Sequence, residues 1–181
     1  MKVISFINNI IALVFFLCYS YQVLYIFVPF FKKSSPHEST KLHHYAVLIA
    51  ARNEEAVISQ LIESIHNQTY PSELIEVFVI ADNCTDNTAS VAKAAGATVW
   101  ERFNRYKIGK GYAIDFLLNR IKEAYPDTSF DGYFVFDADN LLDENYVSEM
   151  NKSFSDGNRI ITSYRNSKNY GNNWISAGSS L

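Results

Sequence analysis

Residues 3–31 contain no Asp, Glu, Lys or Arg, and a run of that length and composition has few ways to fold. At ~1.5 Å rise per residue, a helix of this length exceeds a ~30 Å hydrocarbon core. Ile, Leu, Val and Phe dominate residues 10–31, diluted earlier by Asn8 and Asn9 and within it by Gln22. A buried core helix is disfavoured because the apolar residues run all round with no polar face. A cleaved signal peptide would be shorter and end in small residues, whereas Pro29-Phe30-Phe31-Lys32-Lys33 offers no such site. Residues 1–31 are therefore expected to form a single transmembrane anchor, followed by a polar linker over 32–44 that contains Pro36. Lys2 stands on one side of the run and Lys32, Lys33 and Lys41 on the other. By the positive-inside rule this predicts a cell-membrane protein, anchored once at its N-terminus, with the remainder in the cytoplasm.

Beyond the linker, strand and helix patterns alternate. Residues 46–51 (A-V-L-I-A-A) are a continuous apolar run, as expected of a strand buried on both faces, and residues 75–81 (I-E-V-F-V-I-A) read as a second buried strand. Between them Val57, Ile58, Leu61, Ile62 and Ile65 recur at helical spacing. Asn53 is the expected cap of that helix, with Glu54 and Glu55 in its first turn. An alanine-rich helix ending at Gly96 leads to a short strand over 97–100. A helix marked by Ile114, Leu117, Leu118 and Ile121 then leads to a buried strand over 132–136. A helix near 144–154 and a strand near 159–163 complete the pattern. Strands separated by single helices predict an α/β fold, a mainly parallel sheet with helices on both faces. A net charge of −3 argues against a nucleic-acid partner, which calls for a basic stripe. His43 and His44 read as surface residues, and Cys18 and Cys84 lie in segments too different to form a disulfide.

Four clusters fall at the carboxyl ends of predicted strands, where α/β sheets bind ligands. They are Ala50-Ala51-Arg52-Asn53-Glu54, the loop from Asp82 to Asp86, Gly109-Lys110-Gly111, and Asp137-Ala138-Asp139. Strand alternation would send Asp137 and Asp139 to one side. Two carboxylates held together are relieved by a cation, and hard oxygen donors suit Mg²⁺ or Mn²⁺ shared with substrate phosphates. Carboxylates at the first two strand ends can accept from base and ribose. Lys110 can neutralise a diphosphate, and its glycines admit close backbone approach. Taken singly, each cluster also has a plain reading, as a turn, a helix cap or a solvated lysine.

In order, these motifs resemble glycosyltransferase family 2. The opening strand with Asn-Glu stands here as V-L-I-A-A-R-N-E-E (47–55). The D-D-G-S-T-D-G-T loop is matched by A-D-N-C-T-D-N-T (81–88), and G-K-x-x-A-L-N by G-K-G-Y-A-I-D (109–115). The D-A-D metal motif is Asp137-Ala138-Asp139. The segment at 163–171 also looks like bacterial members of the family. Ala81 replaces the first aspartate of the D-D pair, and Asn83 and Cys84 replace the glycine and serine.

The resemblance implies a GT-A, Rossmann-like fold and metal-dependent, inverting transfer of a sugar from a nucleotide diphosphate, a UDP-sugar in most members, to a saccharide or lipid-linked acceptor. It implies that Ala50, Arg52, Glu54, Asp82, Asp86, Lys110 and Asp137 bind the nucleotide-sugar, and that Asp137 and Asp139 hold Mg²⁺ or Mn²⁺. Residues 45–181 would be the donor-binding part of such a domain, with the acceptor half and the general base expected beyond Leu181. Asp143, Glu144, Glu149 and Asp156 are read as solvated helix or turn residues. Two other classes fit some of the same residues. One is a non-catalytic, membrane-anchored nucleotide-sugar-binding fragment or degenerate homologue. The other is a phosphatase or phosphotransferase using Asp137 as nucleophile, although in such families the Asp-x-Asp usually lies on the first strand.

Overall fold

A computed structural model describes residues 2–31 and 41–163, with side chains described for 2–22 and 41–163. Most of the expected linker and the segment from 164 onward lie outside the described residues. The chain divides into two compact units, Met1–Glu38 and Ser39–Leu181. The first is a helix, α1 (Lys2–Phe31), whose described apolar side chains face outward. By length and composition it is sufficient to cross a membrane.

The second unit runs β1 (Tyr45–Ala51), α2 (Ile58–His66), a 3₁₀ turn (Ser72–Leu74), β2 (Ile75–Asp82), α3 (Thr88–Ala94), β3 (Thr98–Arg102), α4 (Lys110–Ala124), β4 (Gly132–Asp137) and α5 (Tyr146–Ser155). The four strands form one parallel sheet in the order β3-β2-β1-β4. Successive residues of β1 and β2 point to opposite faces, so each strand feeds two cores. Val47, Ile49, Val77 and Val79 pack with Ile58, Leu61, Ile62 and Ile65 of α2 and with Ala92 of α3. On the other face Ala46, Leu48, Phe78 and Ile80 pack with Ala113, Leu117 and Ile121 of α4. Fully burying one such Leu or Ile contributes about 1.5–3 kcal/mol, which is why β1 and β2 carry no polar residue on either face between Val77 and Ala81 or Ala46 and Ala51.

Small residues set the approach of α3. Its helix ends in Gly96 at φ +98°, and a Cβ there would sit 3.1 Å from His66 Nε2 at the end of α2. At the amino ends of the strands, Asn151 of α5 is buried. Its Oδ1 accepts from the hydroxyls of Tyr45 (2.8 Å) and Tyr70 (3.1 Å), and its Nδ2 donates to the Lys41 carbonyl (2.9 Å). Burial, then Tyr70 and Asp131, push the Tyr45 phenol well above its usual range.

Several expectations are corrected. Asn53 does not cap α2. It adopts φ +58°, its Oδ1 accepts from Thr85 N at 2.8 Å, and Glu54 starts a turn that delays the helix to Ile58. Glu54 and Glu55 are thus outside the first helical turn. β4 is not a buried strand: α4 covers β1 and β2 and leaves Tyr133 and Val135 exposed on the same face. Residues 159–163 form no strand. His43 and His44 are partly buried; the His43 ring meets Phe154 edge-on, and His44 Nε2 lies 3.2 Å from Glu76 Oε1.

Candidate functional site

The four sequence clusters do gather at the carboxyl edge of the sheet. Register aligns Ala51 with Ala81 and Ala50 with Asp137, so β1 separates the β2 end from the β4 end. Ala50 is level with Ile80 as well as Asp137, so with strands ~4.8 Å apart and ~3.3 Å rise per residue the backbones of Asp82 and Asp137 are about 12 Å apart across this edge.

Left-handed backbone turns the chain out of both central strands. Asn53 follows β1 and Asn83 (φ +54°) follows β2. Each asparagine uses its side-chain oxygen to hold a neighbouring loop, Asn53 on Thr85 N and Asn83 on Asn104 N (2.9 Å). Asparagine tolerates this conformation better than other residues with a Cβ because its short amide bonds locally. Cys84 Sγ donates to the Ala51 carbonyl at 3.5 Å, closing the two loops on each other.

Asp82 is buried at the end of β2. Its Oδ1 accepts from Arg102 Nη1 (2.5 Å) and Asn83 Nδ2 (3.1 Å). Asp86 serves the loop: Oδ1 accepts from Thr88 Oγ1 (2.6 Å) and Thr88 N (3.1 Å), and Oδ2 from Glu55 N (3.2 Å). The Thr88 hydroxyl chiefly, with the backbone donors, holds the Asp86 carboxyl below its usual range. Both of its oxygens are thus engaged by protein donors, so the structure places Asp86 as the brace of α3 rather than as an open ligand. Glu54 lends its backbone N–H to Thr88 Oγ1 (2.8 Å), while Arg52 is exposed and Ala50 is a half-buried strand residue.

On the other side of β1, Lys110 opens α4, with Gly109 before it at φ +124°. Only glycine takes that conformation without strain. Lys110 Nζ lies 2.5 Å from Asp137 Oδ1, and both side chains are about half exposed, at 45% and 46%. Gly111 is open, and a Cβ there would meet nothing within 4 Å. An open cleft at this point is bordered by Ile108, Gly109, Gly111, Tyr112 and Asp115.

The Asp137-Ala138-Asp139 geometry departs from strand alternation. β4 ends at Asp137, and a turn follows in which Asn140 N donates to the Asp137 carbonyl and Asn140 Oδ1 accepts from Asp137 N, both at 3.1 Å. Asp139 is therefore presented from the turn, exposed, and lines a hollow of about 700 Å³ with Tyr133, Phe134, Asn140 and Tyr146. Among the described residues no group of three or more His, Cys, Asp or Glu converges as a metal cage. Two carboxylates at this turn fit instead the mode of Mg²⁺, which takes one or two protein oxygens and completes its shell with phosphates and water.

Residues 43–180 match the sequence model of the family described as "Glycosyltransferase like family 2". The chain belongs to glycosyltransferase-like family 2. Among relatives of this family-2 chain is a beta-monoglucosyldiacylglycerol synthase of Nostoc sp., 32% identical over 96 residues, covering 52% of this chain and 20% of that protein. The chain thus spans about a fifth of the length of this relative. The fold resembles that of mannosyltransferase PcManGT from Pyrobaculum calidifontis in complex with GDP-Man and Mn²⁺ (TM-score 0.57, 19% identity, 80% of this chain and 42% of that one). It also resembles S. aureus TarS in complex with UDP-GlcNAc (TM-score 0.51, 19% identity, 63% and 31%). The family-2 unit is a GT-A fold. One residue of its site escaped the sequence reading. Arg102 lay beyond the expected end of β3 at residue 100, and only the register Asp82↔Arg102 reveals it.

Proposed function

We propose that this chain is the donor-binding part of a membrane-anchored glycosyltransferase that uses a UDP-sugar. The observation carrying the reading is that a buried carboxylate, Asp82, and a half-exposed lysine–carboxylate pair, Lys110–Asp137, stand at the same edge of the sheet, one on each side of β1. In this reading Asp82 accepts a hydrogen bond from the base, and the chain near Ala50, Arg52 and Glu54 flanks the nucleoside. Lys110 turns from Asp137 toward the diphosphate, adding a charge-assisted bond as negative charge builds on the leaving group. Gly109 and Gly111 keep side chains out of the path of the phosphates.

Asp137 and Asp139 would hold a divalent cation, Mg²⁺ or Mn²⁺, whose chemistry is to neutralise the diphosphate. The hollow beside Asp139, walled by Tyr133, Phe134 and Tyr146, offers aromatic surface for the sugar. Its acceptor would be a saccharide or lipid-linked hydroxyl; a lipid acceptor accords with the diacylglycerol named in the Nostoc relative and with an apolar α1. Inversion requires in-line attack by that hydroxyl, with a base within hydrogen-bond reach. Asp143 and Glu149 do not supply it: Asp143 Oδ1 accepts from Asn145 N and Glu149 pairs with Lys152. We assign residues 1–31 as the anchor and 45–181 to the cytoplasmic side.

Isothermal calorimetry on the full chain in detergent tests the reading. UDP should bind in the presence of MnCl₂, and Asp139→Ala should abolish the Mn²⁺-dependent part. Equal affinity in that variant would remove the cation from Asp139, and absence of any UDP binding would sink the donor site.

A further inference from the structure

Arg102 is a buried charged side chain that the proposed chemistry leaves unused. It pairs in register with Asp82 across β2 and β3, and the two side chains are 6% and 8% exposed. The guanidinium is shared between two elements: Nη1 donates to Asp82 Oδ1 and Nη2 donates to the Lys107 carbonyl, each at 2.5 Å. It also lies 6.0 Å from the ring centroid of Phe116 on α4. The β3 backbone adds to the tie, since the Arg102 carbonyl accepts from Asn83 N at 2.7 Å.

Two consequences follow from this fork. Both hydrogen bonds described for the Asp82 carboxylate fall on Oδ1, one from Arg102 and one from Asn83. The carboxylate plane is thereby fixed with Oδ2 as its remaining acceptor. A fixed acceptor at this place is complementary to a ring N–H, that of the imide of uracil or the lactam of guanine. Cytosine held in the same pose presents a bare ring nitrogen there and would set lone pair against carboxylate. The second consequence is mechanical. Holding the Lys107 carbonyl restrains the loop that leads to Gly109 and Lys110, so the base end and the diphosphate end of the site share one support.

We propose that Arg102 is the specificity-determining positioning residue of the donor site, orienting Asp82 toward an imide or lactam N–H while bracing the loop that delivers Lys110. The inference rests on the donor-site reading above. Lysine cannot replace the fork, because one ammonium at the end of a flexible stem does not hold a carboxylate and a carbonyl in fixed geometry.

The experiment measures UDP and CDP affinities with MnCl₂ on the full chain, for the wild type and for Arg102→Lys, with a thermal melt of each. The wild type should favour UDP over CDP by about tenfold or more, the discrimination expected when a buried polar group would be left facing the wrong edge. Arg102→Lys should lower UDP affinity about tenfold and CDP affinity by less, because the loss through the Lys110 loop is common to both ligands while the loss at the base edge falls on UDP, so the ratio drops. A general loosening of the fold would weaken both ligands alike, and that result overturns the assignment, as does an unchanged ratio. Phe116→Leu, which removes the ring beside the guanidinium and spares the buried pair, should shift the ratio in the same direction by less; if Arg102→Lys unfolds, an unchanged ratio here is the refuting result. Losses for Arg102→Lys and Lys110→Ala should fall short of adding in the double variant. Additive losses would overturn the bracing of the loop. A wild type that binds UDP and CDP equally refutes the role of Arg102 alone, whereas one that binds neither refutes the donor site itself.

Discussion

Lys110→Ala separates binding from stability in a way the geometry makes quantitative. Lys110 is the first residue of α4 and its ion pair with Asp137 is about half exposed, at 45% and 46%. A pair of that exposure contributes about 0.2–1 kcal/mol to folding and less in salt. Removing a lysine from the first turn also relieves an unfavourable contact with the helix dipole, and alanine is the better helix former. The net change in folding free energy should therefore stay under about 1 kcal/mol. Toward a bound diphosphate the same ammonium makes a charge-assisted hydrogen bond, and those are worth about 1.5–3 kcal/mol. At 1.4 kcal/mol per tenfold, UDP should bind about 10–100-fold more weakly. Uridine, which has no phosphate, should be unaffected. Urea unfolding and calorimetry with UDP, UMP and uridine make the comparison. A stability loss beyond about 2 kcal/mol would show Lys110 to be a structural residue. UDP affinity unchanged within about twofold would show that the lysine does not reach the phosphates.

Gly96→Ala forces a Cβ into φ +98° and to within 3.1 Å of His66 Nε2; since His66 is exposed and can yield, the backbone term of about 1–2 kcal/mol should dominate the drop in urea midpoint. Asp86, its carboxyl depressed by Thr88, stabilises the loop fully above the unfolded-state value of 3.8 and less as pH falls below it. Asp86→Asn should therefore lower the melting temperature at neutral pH, and the difference from wild type should close in acid; a gap that persists at low pH would exclude the charge as its source. Tyr45 is raised by burial, so its contribution is complete below the unfolded value of 10.0 and lost as pH rises past it. Tyr45→Phe should cost about 1 kcal/mol at neutral pH by removing one of the two hydroxyl donors to Asn151 Oδ1, yet show a shallower loss in an alkaline melting series.

β1 and β2 were plain in the sequence, because the stretches 46–51 and 77–81 have no polar side chain on either face and so fit interior strands of a parallel sheet. The sequence carried the four strand-end clusters for the same reason: polarity begins where the core stops. It misjudged β4, whose aromatic run reads as buried; whether α4 reaches over a strand depends on where the helix packs, not on the strand. Asn53 fits a helix cap and a left-handed turn equally well, and only Thr85, distant in sequence, decides between them. Arg102 was invisible because its partner comes from the neighbouring strand. Asp137 and Asp139 were legible as neighbouring carboxylates at a strand end, while their geometry was not, since strand alternation ceases at Asp137 and Asn140 folds the next residues into a turn.

The strand order β3-β2-β1-β4 has a consequence for how the site is assembled in time. Tyr45 pairs with Ile75 on one side of β1 and with Gly132 on the other. The second closure encloses roughly three times as much chain, which adds about 0.9 kcal/mol of closure entropy at about 0.6 kcal/mol per doubling. β1, β2 and β3, by contrast, join through short neighbouring crossovers. The strands holding Asp82 and Arg102 thus close over less chain than β4 does, which favours their pairing before β4 docks. Lys110 can meet Asp137 only once β4 has docked, so the ion pair at the site is tied to the pairing that closes over the most chain.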